Sequence, residues 1–328
     1  MIALASRVGA AATMAVLFLG FGVAPVSAAE ITVTHYGTSM YGVPYAVAKQ
    51  NDLFKAAGMP TPGFLTSEGG GTSVRNTLAA DIPYGEVATA AAIAAIKQGL
   101  PITIVNSGVN TVGDILWIAR KDDTRPMGPK DLDGMTIGYS SPKGGSDMVL
   151  SDILRQTGST AQKRTVGGAG SSLTALRQKA VDITWTQEPI WSREKDNFRL
   201  VFNSADFIPQ VSQTVGIVRT DYLRTHPDTI RSIIEARRQA VDLVYQDKKA
   251  AADATAREYK MDPALLLSAI NTVATVKGVN YWSRGDIDYK GLEIALKILQ
   301  SVEAVDQQPV DWAKVVSEDA LPADLRKH

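Results

Sequence analysis

The chain has 328 residues, with 34 lysines and arginines balanced by 34 acidic residues and no cysteine. This length suggests about two domains of ordinary size. A balanced charge offers no basic surface for nucleic acid, and the lack of cysteine excludes disulfides, thiolate nucleophiles and iron–sulfur clusters. With only three histidines, His35, His226 and His328, a metal centre is not expected, and the sequence predicts no cofactor.

Residues 1–28 are interpreted as a secretory signal peptide. Arg7 precedes an apolar stretch over residues 8–24, and small residues follow as far as Ala29, before the first acid, Glu30. This order of basic, apolar and small residues is typical of a cleaved leader. The alternative is a membrane anchor, but the stretch is short for a membrane span. Because a lipid anchor would need a cysteine, we expect a free, soluble protein in the periplasm.

Short β-like runs then alternate with helical stretches, which is the pattern of an α/β fold with mainly parallel sheets. One series of elements begins at the strand 31–35, and the same order returns from the strand 135–139. This repeated order predicts two similar α/β lobes. Beyond residue 205 the chain is mostly helical, and one helix opens at His226-Pro227.

Five loops share one pattern, in which Gly, Ser or Thr residues lie between the end of a strand and the start of a helix. They cover residues 36–42, 69–73, 140–146, 167–172 and 186–189. A helix N-terminus offers unpaired N–H groups and a partial positive charge. Several such loops meeting between two lobes would therefore bind an anion without Lys or Arg. The alternative for each loop is ordinary N-capping.

Motifs for phosphate, dinucleotide and hydrolase chemistry are incomplete. Lys143 precedes the glycines of its loop, Leu173 stands where a dinucleotide motif needs its third glycine, and Pro142 ends the nearest match to a nucleophile motif. His35, at the end of the first strand, either lines the cleft or forms hydrogen bonds in the core. We therefore predict that the protein is not an enzyme.

Glu188 follows a predicted strand at the junction of the lobes and admits two interpretations. It could accept a hydrogen bond from a ligand ammonium or amide, or it could be a carboxylate stabilised at a helix start by the helix dipole. Trp185 and Trp191 are expected to pack inside the second lobe, although a Trp at the end of a strand could also stack on a ligand.

The chain resembles the substrate-binding proteins of ABC importers for nitrate, taurine, aliphatic sulfonates and thiamine-precursor pyrimidines. The resemblance covers nearly all of the chain after residue 28. Its motifs are AVAKQNDLFKAAG at 46–58, GGG at 69–71, QGLPI at 98–102, DLDGMTIG at 131–138 and HPDTI at 226–230. Glu86 departs from the family, which often has Asp in that strand, and no arginine clearly stands where a sulfonate would be clamped.

The resemblance implies a two-lobed periplasmic binding protein of the type II, or Venus-flytrap, class. After the signal peptide, residues 29–115 would form the first part of lobe 1 and residues 116–213 would form lobe 2. Residues 214–328 would complete lobe 1 as a helical segment. Each lobe would be a mainly parallel sheet flanked by helices.

The resemblance also implies a function and a set of ligand-binding residues. The expected function is capture of a small anionic or zwitterionic organic solute by a monomer that delivers it to the permease and ATPase subunits of an ABC transporter. The ligand-binding residues it implies are Thr38, Ser39, Tyr41, Gly71, Thr72, Thr89, Ser141, Gly144, Ser146, Thr186 and Glu188. Two alternatives remain open: a sensing subunit for a membrane receptor, and an enzyme of pyrimidine synthesis with the same fold.

Overall fold

The computed structural model describes residues 29–327, so the predicted signal peptide lies outside the described residues. Ten strands form two five-stranded sheets: β1 (Glu30–Thr34), β2 (Gly63–Ser67), β3 (Tyr84–Ala88), β4 (Ile102–Val109), β5 (Ile115–Arg120), β6 (Thr136–Tyr139), β7 (Gln162–Thr165), β8 (Ile183–Gln187), β9 (Phe198–Asn203) and β10 (Thr214–Arg219). Two short strands, β11 (Thr275–Val276) and β12 (Val279–Asn280), pair with each other.

Helices connect and cover the sheets. They are α1 (Val43–Gln50), α2 (Leu53–Ala56), α3 (Gly70–Ala79), α4 (Thr89–Lys97), α5 (Gly145–Thr157), α6 (Ala169–Arg177), α7 (Ile190–Glu194), α8 (Thr220–Thr225), α9 (Pro227–Gln246), α10 (Lys248–Tyr259), α11 (Pro263–Val273), α12 (Tyr289–Ser301) and α13 (Trp312–Val315). Short 3-10 turns lie at Met40–Gly42, Ser204–Asp206 and Ala323–Leu325. Within residues 29–327, no helix is both long enough and apolar enough to cross a membrane.

The two sheets have the same topology, which confirms the predicted pair of similar α/β lobes. The first sheet has the strand order β2-β1-β3-β10-β4, and the second has the order β7-β6-β8-β5-β9. In each, the strand next to one edge (β1 or β6) pairs in parallel with both of its neighbours. This arrangement is the two-lobed fold that the resemblance implied.

The sheets are mainly parallel, as predicted, because four of the five strands in each run in one direction and only one strand runs against them. β10 runs antiparallel to β3 and β4, and β5 runs antiparallel to β8 and β9. The reason is the path of the chain: β5 and β10 are the strands that enter one lobe directly from the other, and each runs against its neighbours.

Three details of the elements differ from the sequence pattern. β5 and β9 were not predicted, although the run Ile115–Arg120 is almost wholly buried. β1 ends at Thr34, because His35 adopts a left-handed backbone with φ of 54°. At this position the chain turns from the strand into the first loop of the cleft.

Each lobe has its own hydrophobic core, and the C-terminal helices contribute residues to both cores. α9, α10 and α11 pack in the first core, whereas Leu296 and Leu299 of α12 join the second core together with Ile93 of α4. α12 thus packs against α4 and α5 together. The lobe boundaries drawn from the sequence at 115/116 and 213/214 stay a prediction.

A buried ion pair lies at the centre of the first lobe. The Arg237 Nε on α9 donates to the Glu86 Oε2 on β3 at 2.8 Å, and both side chains are at most 1% exposed. The other guanidinium nitrogens donate to the carbonyl oxygens of Ser283 and Gly108. The hydroxyls of Tyr45 and Thr214 donate to the two Glu86 oxygens at 2.9 and 2.8 Å. The pair therefore connects α1, β3, β4, β10 and α9.

We predict that Arg237→Met lowers the free energy of unfolding by about 3–5 kcal/mol, because it leaves the Glu86 carboxylate buried without a cation. Urea unfolding measures the change. The matched control is Arg238→Met on the same helix, whose ion pairs with Glu235 and Asp324 are partly exposed and should each contribute at most about 1 kcal/mol. Equal losses in the two variants would contradict the prediction, and Glu86→Gln added to Arg237→Met should restore part of the stability.

Candidate ligand-binding site

The segments that follow the strands of the two sheets meet each other between the lobes. The Gln187 Nε2 donates to the Thr38 carbonyl oxygen at 3.3 Å, and the rings of His35 and Trp185 lie 6.0 Å apart. Gly70 touches the second lobe so closely that a Cβ there would fall 2.8 Å from the Pro142 carbonyl oxygen. These contacts define a cleft that is closed over much of its depth.

An inner cavity of about 20 Å³ lies at the floor of this cleft. That volume holds roughly one water molecule. Its walls come from both lobes and are mostly polar or aromatic: Thr34, His35, Tyr41, Gly69, Ala88, Ile115, Gly145, Ser146, Trp185, Gln187, Gln213 and Thr214. No lysine or arginine is among these lining residues, so a ligand charge here would be met by hydrogen-bonding groups and helix ends.

An outer cavity of about 520 Å³ lies beside it, and Gly69 lines both. Its walls are Gly69, Gly71, Thr72, Val74, Arg75, Ala91, Ala94, Ala95, Gln98, Leu100, Ser141, Pro142 and Lys143. The first lobe contributes the α3 and α4 faces, and the second contributes the loop after β6. This cavity has the volume that small-molecule sites commonly have.

The helices that begin at the cleft have no side-chain caps. The N-cap residues of α3, α4, α5 and α6 are Gly69, Ala88, Gly144 and Gly168, and none accepts a hydrogen bond through a side chain. Glycine is itself a common N-cap residue, so N-capping by these loops stays a prediction, but no side chain takes part in it. In the first loop a side chain does cap a turn, because the Ser39 hydroxyl accepts from the Tyr41 N–H at 3.3 Å.

The hydroxyls of these loops form hydrogen bonds with each other and with the backbone, and they do not cap the helices. The Ser73 hydroxyl is hydrogen-bonded to those of Thr34 and Ser67, at 2.9 and 2.6 Å. The Ser146 hydroxyl accepts from the Ser140 N–H at 2.9 Å. The N-termini of α3 and α5 consequently face the cleft with a partial positive charge.

Several polar atoms of the inner cavity are buried without a partner. They are the Trp185 Nε1 and the Oε1 atoms of Gln187 and Gln213, on residues that are at most 2% exposed. An unpaired buried polar atom costs roughly 1–3 kcal/mol. A ligand that donates to the two amide oxygens and accepts from the indole would recover this cost.

A buried acid lies behind the inner cavity. The Gln213 Nε2 donates to the Asp114 Oδ1 at 3.0 Å and to the Tyr41 hydroxyl at 2.7 Å. Burial raises the pKa of Asp114 to about 7, while the neighbouring Tyr281 and the hydrogen bond from Gln213 lower it and the nearby Glu188 raises it further. The carboxyl is thus held near the point where it ionises at neutral pH.

His35 belongs to the cleft and not to the core, which decides between the two interpretations of its sequence position. Its ring lies 6.3 Å from that of Tyr41 and lines the inner cavity. Burial lowers the pKa of the imidazole to about 4. The ring is therefore neutral at physiological pH.

Glu188 is engaged at the start of α7. Its two carboxylate oxygens accept from the Ser192 N–H at 3.1 Å and from the Ser192 hydroxyl at 3.0 Å. Burial raises its pKa, and the bonds from Ser192 oppose that rise. This geometry favours the helix-start interpretation, and a direct ligand contact by Glu188 stays a prediction.

The predicted ligand-binding residues divide into three groups. Tyr41 and Ser146 line the inner cavity, and Gly71, Thr72 and Ser141 line the outer one. The others line neither cavity: Thr38, Ser39, Thr89, Gly144, Thr186 and Glu188. Thr89, for example, is fully buried, and its N–H donates to the Gln213 carbonyl oxygen at 2.9 Å.

Sequence reasoning missed five residues of this region. Asp114 and Gln213 stand immediately before β5 and β10, so a polar residue at each crossing between the lobes was the available signal. Arg75 follows Gly71 by one helical turn on α3, and it is a cavity arginine that the sequence analysis did not find. Lys143 and Gln187 lie within two of the loops named from the sequence, 140–146 and 186–189, but only the approach of the two lobes places their side chains in the cavity walls.

The sequence of residues 39–251, more than half of the chain, matches the protein family described as NMT1/THI5 like. No curated protein sequence matches the chain. Within the part of the chain that the structure describes, no cluster of His, Asp and Glu is arranged to hold a metal ion.

The fold is similar to that of three solved proteins. The periplasmic nitrate-binding protein NrtA from Synechocystis PCC 6803 is 14% identical with a TM-score of 0.73, over 92% of this chain and 92% of that one. The alkanesulfonate-binding protein SsuA from Xanthomonas axonopodis pv. citri, bound to MOPS, is 14% identical with a TM-score of 0.72, over 89% of this chain and 99% of that one. The desulfurization enzyme DSZB is 12% identical with a TM-score of 0.61, over 89% and 97%. At such identities the likeness establishes the fold.

We predict that Asp114→Asn removes a contribution of this carboxyl that lowers the free energy of unfolding as pH rises. The folded chain keeps the Asp114 proton up to about pH 7, whereas the unfolded chain loses it near its ordinary pKa of about 3.9. The folded state therefore binds more protons across this range, and this carboxyl makes the free energy of unfolding fall as pH rises. The variant should gain stability over the wild type between about pH 4 and 7, by up to about 4 kcal/mol.

Chemical denaturation at several pH values measures that difference. The pH dependence of the wild type alone does not isolate Asp114. The lowered pKa of His35 makes the free energy of unfolding rise with pH over part of the same range, which opposes the effect of Asp114. The exposed Asp81→Asn is the control for loss of one carboxylate. A difference curve that stays flat from pH 4 to 7 would contradict the assignment.

Proposed function

The chain belongs to the NMT1/THI5-like family, and from that premise we propose that it is the periplasmic solute-binding component of an ABC importer. It captures a small anionic or zwitterionic organic solute between its lobes and delivers it to the permease. The observation that carries the proposal is the set of unpaired, buried polar atoms of Trp185, Gln187 and Gln213, which line one cavity between the two lobes.

The charge distribution supports an anionic or zwitterionic solute. The α3 and α5 N-termini favour a negative group, and the side chains that line the inner cavity supply no competing cation. The Asp114 carboxyl is hydrogen-bonded to Gln213, which lines the inner cavity. Its negative charge would favour an ammonium or amide group on the same solute.

Coupling between binding and closure follows from the same contacts. The solute would bridge groups of both lobes, so it binds the closed arrangement more tightly than an open one and shifts the population toward closure. A permease that recognises the closed arrangement would then receive only the loaded protein.

We propose binding without catalysis. The full sequence has no cysteine, and the one histidine of the cavity lies against the rings of Tyr41 and Trp185. Its lowered pKa keeps it neutral, and among residues 29–327 no carboxylate forms a hydrogen bond or ion pair with its ring. The histidine therefore has no oriented acid–base partner of the kind that hydrolases need.

We predict that Gly145→Val lowers the affinity for the solute by at least about tenfold. Gly145 lines the inner cavity at the first position of α5, and a Cβ there meets only the Ile115 Cδ1 at 3.9 Å. The larger side chain should fill the cavity while changing the free energy of unfolding by less than about 1 kcal/mol. The matched control is Gly170→Val near the start of α6, where a Cβ meets nothing within 4 Å.

The measurement is a thermal-shift screen of sulfonates, carboxylates, amino-sulfonates, nitrate and pyrimidines on the wild type, followed by calorimetry on the three proteins. Any ligand that raises the melting temperature gives the affinity to compare. Equal affinities for the wild type and Gly145→Val would mean that the solute does not bind in the inner cavity. Delivery is tested with an ABC permease and its ATPase from the same organism reconstituted in liposomes, whose ATP hydrolysis the loaded protein should stimulate.

A further inference from the structure

A glutamate of the first lobe touches the second lobe beside the start of α6. Glu68 lies between β2 and α3, and its carboxylate packs against Gly168, the N-cap residue of α6. A Cβ on Gly168 would fall 2.0 Å from the Glu68 Oε2 and 3.0 Å from its Cδ. The carboxylate therefore occupies the space that any side chain at position 168 would need, and the contact exists because residue 168 is a glycine.

The two residues that follow Glu68 belong to the same approach between the lobes. Gly69 and Gly70 have φ of 89° and 59°, a left-handed backbone that glycine adopts without steric cost. A Cβ on Gly70 would fall 2.8 Å from the Pro142 carbonyl oxygen and 2.9 Å from the Ser141 Oγ. The segment 68–70 thus makes a continuous contact with two loops of the second lobe.

The strand order places the Glu68 contact on the side of the cleft away from the hinge. The chain crosses between the lobes from β4 to β5 and from β9 to β10. In the first sheet, β10 and β4 lie on one side of β3, and β2, which leads to Glu68, is the edge strand on the other side. In the second sheet, β7, which leads to Gly168, is the edge strand opposite β5 and β9. Because points far from a hinge separate most as the lobes rotate, this contact exists only in the closed arrangement.

The N-terminus of α6 has no anionic partner in its own lobe. The helix has nine residues, none of them acidic in the first turn, and Gly168 provides no side-chain cap. Its first N–H groups and its dipole leave a partial positive charge there. Among residues 29–327, no ion pair or side-chain hydrogen bond engages the Glu68 carboxylate. The negative charge of one lobe therefore lies against the positive helix end of the other.

We propose that Glu68 is a latch that holds the two lobes closed. Its carboxylate fills the space beside Gly168 and is attracted by the N-terminus of α6, so it stabilises the closed arrangement before a solute binds. The latch goes beyond the proposed function, because it acts in the protein without solute, and only its effect on affinity rests on that function. A larger closed fraction raises the apparent affinity for every solute by a common factor, whatever the chemistry of the solute.

Distances between spin labels on the two lobes test the latch without any solute. The chain has no cysteine, so Ala56→Cys on α2 and Gln178→Cys after α6, both exposed and one in each lobe, accept labels specifically. Pulsed electron–electron double resonance then gives the ratio of closed to open molecules. Glu68→Gln keeps the shape of the side chain and removes its charge, so it should lower this ratio about two- to fivefold. Asp81→Asn, which removes an exposed carboxylate of the same lobe, should leave the ratio unchanged.

A double-mutant cycle separates the contact from effects on α6 itself. Gly168→Ala should also lower the ratio, because its Cβ displaces the Glu68 carboxylate, and the φ of −63° at this position suits alanine. In the Glu68→Ala background, Gly168→Ala should have no effect, since nothing then occupies the space. The matched control is Gly170→Ala, where a Cβ meets nothing within 4 Å, and it should leave the ratio unchanged in both backgrounds.

The proposal fails on either of two results. Distance distributions that are the same in the wild type and Glu68→Gln, or that shift toward closure in the variant, overturn it. An equal effect of Gly168→Ala with and without Glu68 overturns it too, because α6 and not the contact would then be responsible. Neither result bears on the importer function, which fails only if no compound of the thermal-shift screen binds the wild type. Compounds that do bind should all bind Glu68→Gln more weakly, by up to the factor found for the closed-to-open ratio.

Discussion

The first lobe depends on a buried ion pair between a strand near the beginning of the chain and a helix near its end. The Glu86 carboxylate and the Arg237 guanidinium are both almost completely excluded from water. Two buried charges are tolerated only when hydrogen bonds satisfy their remaining lone pairs and N–H groups. Tyr45, Thr214 and the carbonyl oxygens of Gly108 and Ser283 do so here.

The same network reaches the cleft. Thr214, which donates to Glu86, also lines the inner cavity, and the residue before it is Gln213. The carboxylate of Glu86 therefore fixes the start of β10 at the point where the chain returns from the second lobe. In this way an interaction whose direct effect is on stability also positions the amide that joins Tyr41 to Asp114.

The cleft has two regions with different electrostatics. The inner cavity is lined by neutral groups and helix ends, with a buried acid behind it, whereas the lining of the outer cavity includes Arg75, Lys143 and several alanines. Charged side chains therefore lie in the outer part of the cleft, and hydrogen-bonding groups lie in the inner part.

The sequence by itself determined the α/β class and the repeated order of elements, because short apolar runs, helix-start glycines and their spacing are local signals. It also placed Gly71, Ser141 and Ser146 in the loops that form the cleft. It did not give the direction of β5 and β10, since antiparallel insertion follows from the path of the chain between lobes. Nor did it give the roles of Gln187 and Gln213, whose partners lie on the other lobe or at a crossing. Those residues acquire a function only when two surfaces far apart in sequence come within hydrogen-bonding distance, and only the tertiary structure decides that.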